Sequence, residues 1–170
     1  MTDISLQQNP DGGWNWTGVE NRSDLFVSAD AIILLAQARK QGYGVRTEVW
    51  QNGLNYLKRE FQSAQDNELK AYLLYALTNA EDVDFAHINR VYRERNTLRT
   101  PGLALLTLMY HELNRPEIAR ELLTALQNKA TIQQDQATGT QMAFWPSDSP
   151  YPWLQDPVET TALALFAAQK

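Results

Sequence analysis

The sequence predicts an all-α protein, an array of short helical hairpins in two layers. Three observations predict it. Apolar residues recur at helical spacing along most of the 170 residues. The helical segments alternate between two kinds, one apolar nearly all round and one carrying a single apolar stripe. The connections between them are short and carry helix-capping and turn residues.

The first segment, residues 28–42 (SADAIILLAQARKQG), is apolar nearly all round. Gly42 and Gly44 end it, since glycine takes the left-handed backbone that closes a helix. The second, 47–60, carries a stripe through Trp50, Leu54 and Leu57 that continues to Phe61, with polar residues elsewhere. Residues 67–77 are apolar round most of the circumference. Residues 84–95 return to a stripe through Phe85, Ile88, Val91 and Tyr92. The fifth segment, 100–113, is apolar, and Thr100-Pro101 reads as an N-cap before a helix-starting proline. The sixth, 116–129, is striped through Ile118, Leu122, Ala125 and Leu126. The last, 156–170, is apolar, and Asp156 with Glu159 has capping-box spacing.

A helix that is apolar all round is buried on more than one side, whereas a striped helix covers a core from outside. Strict alternation therefore places the odd-numbered segments in an inner layer and the even-numbered ones in an outer layer. Short connections make neighbours antiparallel. The repeat is structural, with weak sequence identity between its units.

Two aromatic loops interrupt the helices. Residues 9–26 begin NPDGGWNW, where turn-forming Asn, Pro, Asp and Gly lead into two tryptophans. Residues 131–155 contain Gly139, Trp145 and Trp153, and within them TGTQMAFW reads as an extended segment or short hairpin. Each loop runs into an all-round apolar helix. Trp14, Trp16, Asp24, Trp145 and Trp153 are the candidate partner-contact residues, because loop tryptophans serve as interface anchors. Packing of the tryptophans on the helix ends is the competing reading, and helix capping is the competing reading for Asp24.

Composition narrows the function. A formal net charge of −5, with basic residues scattered among acidic ones, argues against a nucleic-acid partner. No cysteine is present, so disulfides, thiolate metal sites and cysteine nucleophiles are excluded within these residues. His87 and His111 lie in separate segments, which leaves zinc poorly supported. The N-terminus has neither the basic nor the apolar region of a signal peptide, and no apolar run is long enough to span a membrane. No Ser-His-Asp arrangement stands out, and Gly42-Tyr43-Gly44 lacks the Lys-Ser/Thr of a phosphate loop.

The stretches QNPDGGWNW, SADAIILLAQARKQGYGV and GLNYLK resemble the thioester-containing domain of bacterial alpha-2-macroglobulins. So do ALLTLMYHELNRPEIARELLTAL, the aromatic loop with Phe144-Trp145, and DPVETTALALFA. The resemblance runs in order over nearly the whole chain. It implies an α/α toroid, here a partial one of about seven main helices forming a single domain or domain fragment over 1–170. It implies a non-enzymatic part of a protease-trapping inhibitor, exported to the periplasm or secreted. Its partners would be the other domains of the larger protein and, through it, target proteases, with no cofactor, no metal and no direct membrane insertion. The Cys-x-Glu-Gln motif of the covalently acting members is missing. The chain is expected to start after that motif, or to come from a branch that traps without a thioester.

Two further readings stand beside it. One is a free-standing protein- or ligand-binding toroid module with the tryptophan loops as its groove. The other is a terpene-cyclase-like enzyme, because Gln8, Gly12 and Trp14 fit the loose Q-x(2–5)-G-x-W pattern of triterpene cyclases. The nearest acidic run, EDVDF at 81–85, lacks the paired aspartates those enzymes need and precedes a striped helix.

Overall fold

The computed structural model of the chain describes residues 4–17 and 22–170. Its secondary structure is mostly helical, as the apolar spacing predicts, and the chain divides into two compact units, residues 1–87 and 88–170. In the first unit, helices α1 (Leu25–Lys40), α2 (Thr47–Ser63) and α3 (Asn67–Asn79) pack on one another. Helix α4 (Phe85–Arg93) runs across the division and buries Ile88 and Val91. In the second unit, α5 (Thr100–Glu112) packs against α6 (Pro116–Gln127) and α7 (Pro157–Ala168). Between α6 and α7 lie strands β1 (Thr131–Gln134) and β2 (Gln141–Phe144), which form an antiparallel hairpin. TGTQMAFW is thus the turn and second strand of that hairpin.

The striped helices α2 and α6 and two of the four all-round apolar helices, α3 and α5, are buried as their patterns predict. Striped α2 buries Trp50, Leu54 and Leu57 along its apolar line, and striped α6 buries Leu122 and Leu126. α5, apolar all round, has eleven of its 13 residues buried, and α3 has eight of 13. α7 departs from that expectation. It buries Thr160, Ala164 and Ala167, while Val158, Leu165 and Phe166 remain 75%, 46% and 45% exposed. Leu34 of α1 is likewise exposed.

The helix ends show the repeat more clearly than the side chains do. α1, α3 and α5 each close with the same pair of bonds. The residue after the cap donates back to the carbonyl three before it, and the next residue to the carbonyl five before it. In α1 these are Gly42 to Arg39 and Tyr43 to Ala38. In α3 they are Glu81 to Thr78 and Asp82 to Leu77, and in α5 Asn114 to His111 and Arg115 to Tyr110. The closing residue needs a left-handed backbone, and Gly42, Glu81 and Asn114 have φ of 82°, 57° and 53°. Glycine and asparagine take this conformation readily, while glutamate is strained there. Glu81→Gly is therefore expected to stabilise the chain by about 1 kcal/mol, despite losing an exposed ion pair with Lys40. A melting temperature below that of the parent would contradict the geometry.

Two sequence expectations on helix starts need correction. α1 begins at Leu25, three residues before Ser28, because Asp24 rather than a later residue is its N-cap. α5 begins at Thr100 itself, with Arg99 in the cap position and no side-chain cap bond from Arg99. The amide of Thr100 instead donates to Oδ1 of Asp148 at 3.2 Å, so a loop 48 residues away does the capping.

Two buried tyrosines give the fold an alkaline limit. Tyr110 of α5 is fully buried against the ring of Tyr92, 5.3 Å between centroids. Burial pushes its phenol up to about 12, and burial together with Glu60 does the same for Tyr56. Both values lie above the ordinary phenol value of about 10, so the folded state holds these protons more tightly than the unfolded chain does. Their stabilising effect is complete below pH 10 and is lost as pH rises from 10 towards 12. Thermal melts are expected to be level from pH 8 to 9.5 and to fall steeply above 10. A level profile to pH 11.5 would contradict the burial of both rings.

Candidate partner-contact site

The two tryptophans of NPDGGWNW have opposite fates. Trp14 is 2% exposed and Trp16 is 71% exposed. The turn before them is closed by Gly12 donating to the Asn9 carbonyl and Asn9 donating to the Gly13 carbonyl. Gly12 has φ of +97°, and a Cβ on it would sit 2.5 Å from the Asn52 carbonyl oxygen of α2. A Cβ on Gly13 would meet the Ser23 and Ser28 side chains at 2.5–2.6 Å. Neither position accepts a larger residue, so the Gly-Gly pair reports close packing of this loop on α1 and α2.

Trp14 is held at three points. Its amide donates to Oγ of Ser28 at 2.8 Å. Its carbonyl accepts from the amide of Asp24 at 2.8 Å. Its indole N–H donates to the carbonyl of Ile4 at 2.9 Å. The ring reaches the bare Cα of Gly53, where an added Cβ would lie 3.0 Å from Cζ3 and Cη2. Ser28 completes the clasp by donating to the carbonyl of Asp24 at 2.6 Å. Asp24 caps α1 by accepting from the amide of Val27.

The second unit repeats this local pattern with different residues. The amide of Trp145 donates to Oγ1 of Thr161 at 3.0 Å, and its indole N–H donates to the carbonyl of Leu126 at 2.8 Å. Asp156 caps α7 by accepting from the amides of Val158 and Glu159. In both units a loop tryptophan is thus fastened by a hydroxyl in the first turns of the helix that an aspartate starts. Trp145 is 6% exposed, and Trp153, in a 3-10 turn at Pro152–Leu154, is half-buried. Ser28→Ala would leave the buried amide of Trp14 without an acceptor. It is expected to cost about 1–3 kcal/mol, with a smaller effect for Thr161→Ala at a less buried site. Equal melting of Ser28→Ala and the parent would contradict the clasp.

Of the five candidate residues, Trp16 alone presents most of its surface outward. It lines an open pocket of about 600 Å³ together with Asp11, Asn15, Arg22, Asp24, Tyr56 and Glu60. Asp11 holds the pocket wall in place. Its Oδ1 accepts from Oγ of Ser23 at 2.5 Å and from the amide of Gly13, while its carbonyl accepts from Arg59 at 2.7 Å. Burial works to raise the carboxyl's pKa, but the bonds from Ser23 and Gly13 and the Arg59 charge together hold it below the usual value. Tyr56 and Glu60 escaped the sequence reading. The stripe drawn through Trp50, Leu54 and Leu57 passes them by, although Tyr56 is also buried. The pocket wall carries the indole of Trp16, the ring of Tyr56 and charges of both signs, from Asp24 and Glu60 on one hand and Arg22 on the other.

The remaining motifs have structural roles. In EDVDF, Asp82 pairs with Lys58 at 2.8 Å and Asp84 caps the start of α4 through the amide of Ala86. His87 packs its ring on Phe61. Among the described residues no group of three or more His, Cys, Asp or Glu is placed to hold a metal ion, and no helix is long and apolar enough to cross a membrane.

No protein-family model matches the chain. The chain is 27% identical over 131 residues to alpha-2-macroglobulin of Rickettsia conorii, covering 71% of the chain but only 7% of that much longer protein. The native conformation of Escherichia coli alpha-2-macroglobulin contains the same fold, with a TM-score of 0.62 at 15% identity. That likeness covers 97% of this chain and 12% of that one. Trypsin-activated Escherichia coli alpha-2-macroglobulin matches 74% of the chain with a TM-score of 0.58 at 18% identity, over 10% of its own length. The resemblance to bacterial alpha-2-macroglobulins is therefore found in sequence over 71% of the chain and in fold over nearly all of it.

Proposed function

We propose that this chain is a non-catalytic helical domain, or part of one, in a bacterial alpha-2-macroglobulin-like protease inhibitor. In this reading its helices form an arc of an α/α toroid, and the parent protein is periplasmic or extracellular. The observation that carries it is the match of almost the whole chain to one short stretch of a far longer macroglobulin. The trypsin-activated state of the Escherichia coli protein supports a protease as the target class. These 170 residues contain no cysteine, so they form no thioester themselves. Their part is to present a surface to other domains, with Trp16 and the pocket it lines as the contact point and Trp14 and Trp145 as the fastenings behind the loops.

The test uses the complete product of the gene that encodes this sequence. After incubation with trypsin, cleavage of a large protein substrate is expected to stop while a small chromogenic peptide is still cut. Unhindered cleavage of both substrates would overturn the inhibitor reading.

The 71% exposure of Trp16 also favours a second reading, a free-standing binding module. In that case the 170-residue chain alone would bind a ligand with quenching of tryptophan fluorescence that is lost in Trp16→Ala.

A further inference from the structure

The hairpin of β1 and β2 is the least self-sufficient element of the second unit. A two-stranded ribbon is marginal in water without a third strand or a covering face. Here Ile132 is 67% exposed and Met142 is 49% exposed, and only the base of the ribbon, at Thr131 and Phe144, is partly covered. The cross-strand partner of Ile132 is Ala143, whose single methyl leaves most of the isoleucine bare.

The edge of β1 is also unguarded. Natural edge strands carry lysine, proline or an inward charge that discourages pairing. β1 reads TIQQ and β2 reads QMAF, with no charge and no proline in either. Pairing geometry shows which groups are open. Asp135 donates to the Thr140 carbonyl at 2.8 Å, and the register from Gln134–Gln141 to Thr131–Phe144 continues from that pair. Bonded and non-bonded pairs alternate along an antiparallel ribbon, so the amides of Ile132 and Gln134 point away from β2. A row of outward N–H and C=O groups selects one kind of partner, an extended strand, and the lack of charge selects an uncharged one.

We propose that the β1 edge is paired by an extended segment from elsewhere in the same longer polypeptide, which adds a third strand and covers Ile132. This rests on the macroglobulin reading above. Under that reading roughly nine-tenths of the polypeptide lies outside these residues and supplies the strand, as the 12% and 7% shares of the relatives imply.

Amide hydrogen exchange on the complete gene product and on the 170-residue chain tests the proposal. Exchange at Ile132 and Gln134 is expected to be about 100-fold slower in the complete protein, with similar rates for α5 in both. Ile132→Pro removes an amide that β2 does not use. It should leave melting of the 170-residue chain unchanged and bring Gln134 of the complete protein back towards the fast rate. Equal fast exchange at both residues in a gene product of macroglobulin length overturns the strand pairing alone. Slow exchange already present in the 170-residue chain, and dependent on its concentration, overturns it in favour of a second copy as the partner. A gene product whose intact mass is that of 170 residues overturns both the pairing and the reading beneath it.

Discussion

Leu105→Asp is expected to yield no folded second unit. Leu105 is 2% exposed in the middle of α5, the helix with the largest buried share. The substitution removes a buried leucine, which costs about 2–5 kcal/mol through lost transfer and the cavity left behind. It also places a carboxylate where the surrounding segment supplies leucine, alanine and methionine. The carboxyl escapes part of that penalty by keeping its proton, but a buried neutral acid without a partner still costs about 1–3 kcal/mol on the protein scale. Against a total stability of about 5–15 kcal/mol, shared here between two units, the sum removes most of what the second unit has. The contrasting variant is Leu165→Asp. It makes the same exchange in another helix that is apolar all round, at a position 46% exposed, and is expected to change melting by at most a few degrees. Far-UV circular dichroism and thermal melting read both. If Leu105→Asp melts like the parent, α5 is not the buried helix of its unit. If Leu165→Asp is as damaging as Leu105→Asp, the open face of α7 is not open.

That contrast marks how far apolar periodicity reaches. The existence and order of the seven α-helices among the described residues were legible, because a 3.6-residue apolar rhythm is a property of each segment alone. The burial of α7 was not. Its pattern says only that both faces are apolar, and whether a neighbour covers each face is decided outside the segment. The starts of α1 and α5 were misplaced for a related reason. The capping carboxylate of α5 belongs to Asp148, and no local signal in Thr100-Pro101 reveals it. Asp24 has the right chemistry for a cap, and of its two sequence readings, capping and partner contact, the structure displays the first in its bond from the amide of Val27.

The candidate site was legible as a place and illegible in its detail. NPDGGWNW announces a packed aromatic turn, yet nothing in it separates Trp14 from Trp16. What separates them lies 14 and 39 residues further on, where Ser28 receives the Trp14 amide and Gly53 leaves room for its ring. Trp16 is 71% exposed and lies at the rim of the pocket.

Gly12→Ala is the second large effect expected, and a glycine series separates its causes. Gly44 has nothing within 4 Å of an added Cβ and no left-handed φ, so Gly44→Ala is expected to be near neutral. Gly42 also faces open space but has φ of +82°, so Gly42→Ala carries backbone strain alone, about 1–2 kcal/mol. Gly12 combines φ of +97° with a Cβ position 2.5 Å from the carbonyl oxygen of Asn52, which is helix backbone and cannot swing aside. The loop must therefore lift off α2, and two bonds that fasten it lengthen as it does. These are the bonds from Gln8 to the Val49 carbonyl, 2.9 Å, and from Arg59 to the Asp11 carbonyl, 2.7 Å. Because Trp14 follows two residues later, lifting the turn unseats a tryptophan whose full truncation would cost about 3–5 kcal/mol. Gly12→Ala is accordingly expected to cost about 3 kcal/mol, a fall in melting temperature of about 6–12 °C for a chain of this size. Intrinsic fluorescence supplies the independent reading. The emission of Gly12→Ala should move to longer wavelength as Trp14 enters water, while Gly42→Ala and Gly44→Ala keep the parent spectrum. A Gly12→Ala variant that matches Gly42→Ala in both melting and emission would mean that the turn does not lie against α2, and the clasp around Trp14 would fall with it.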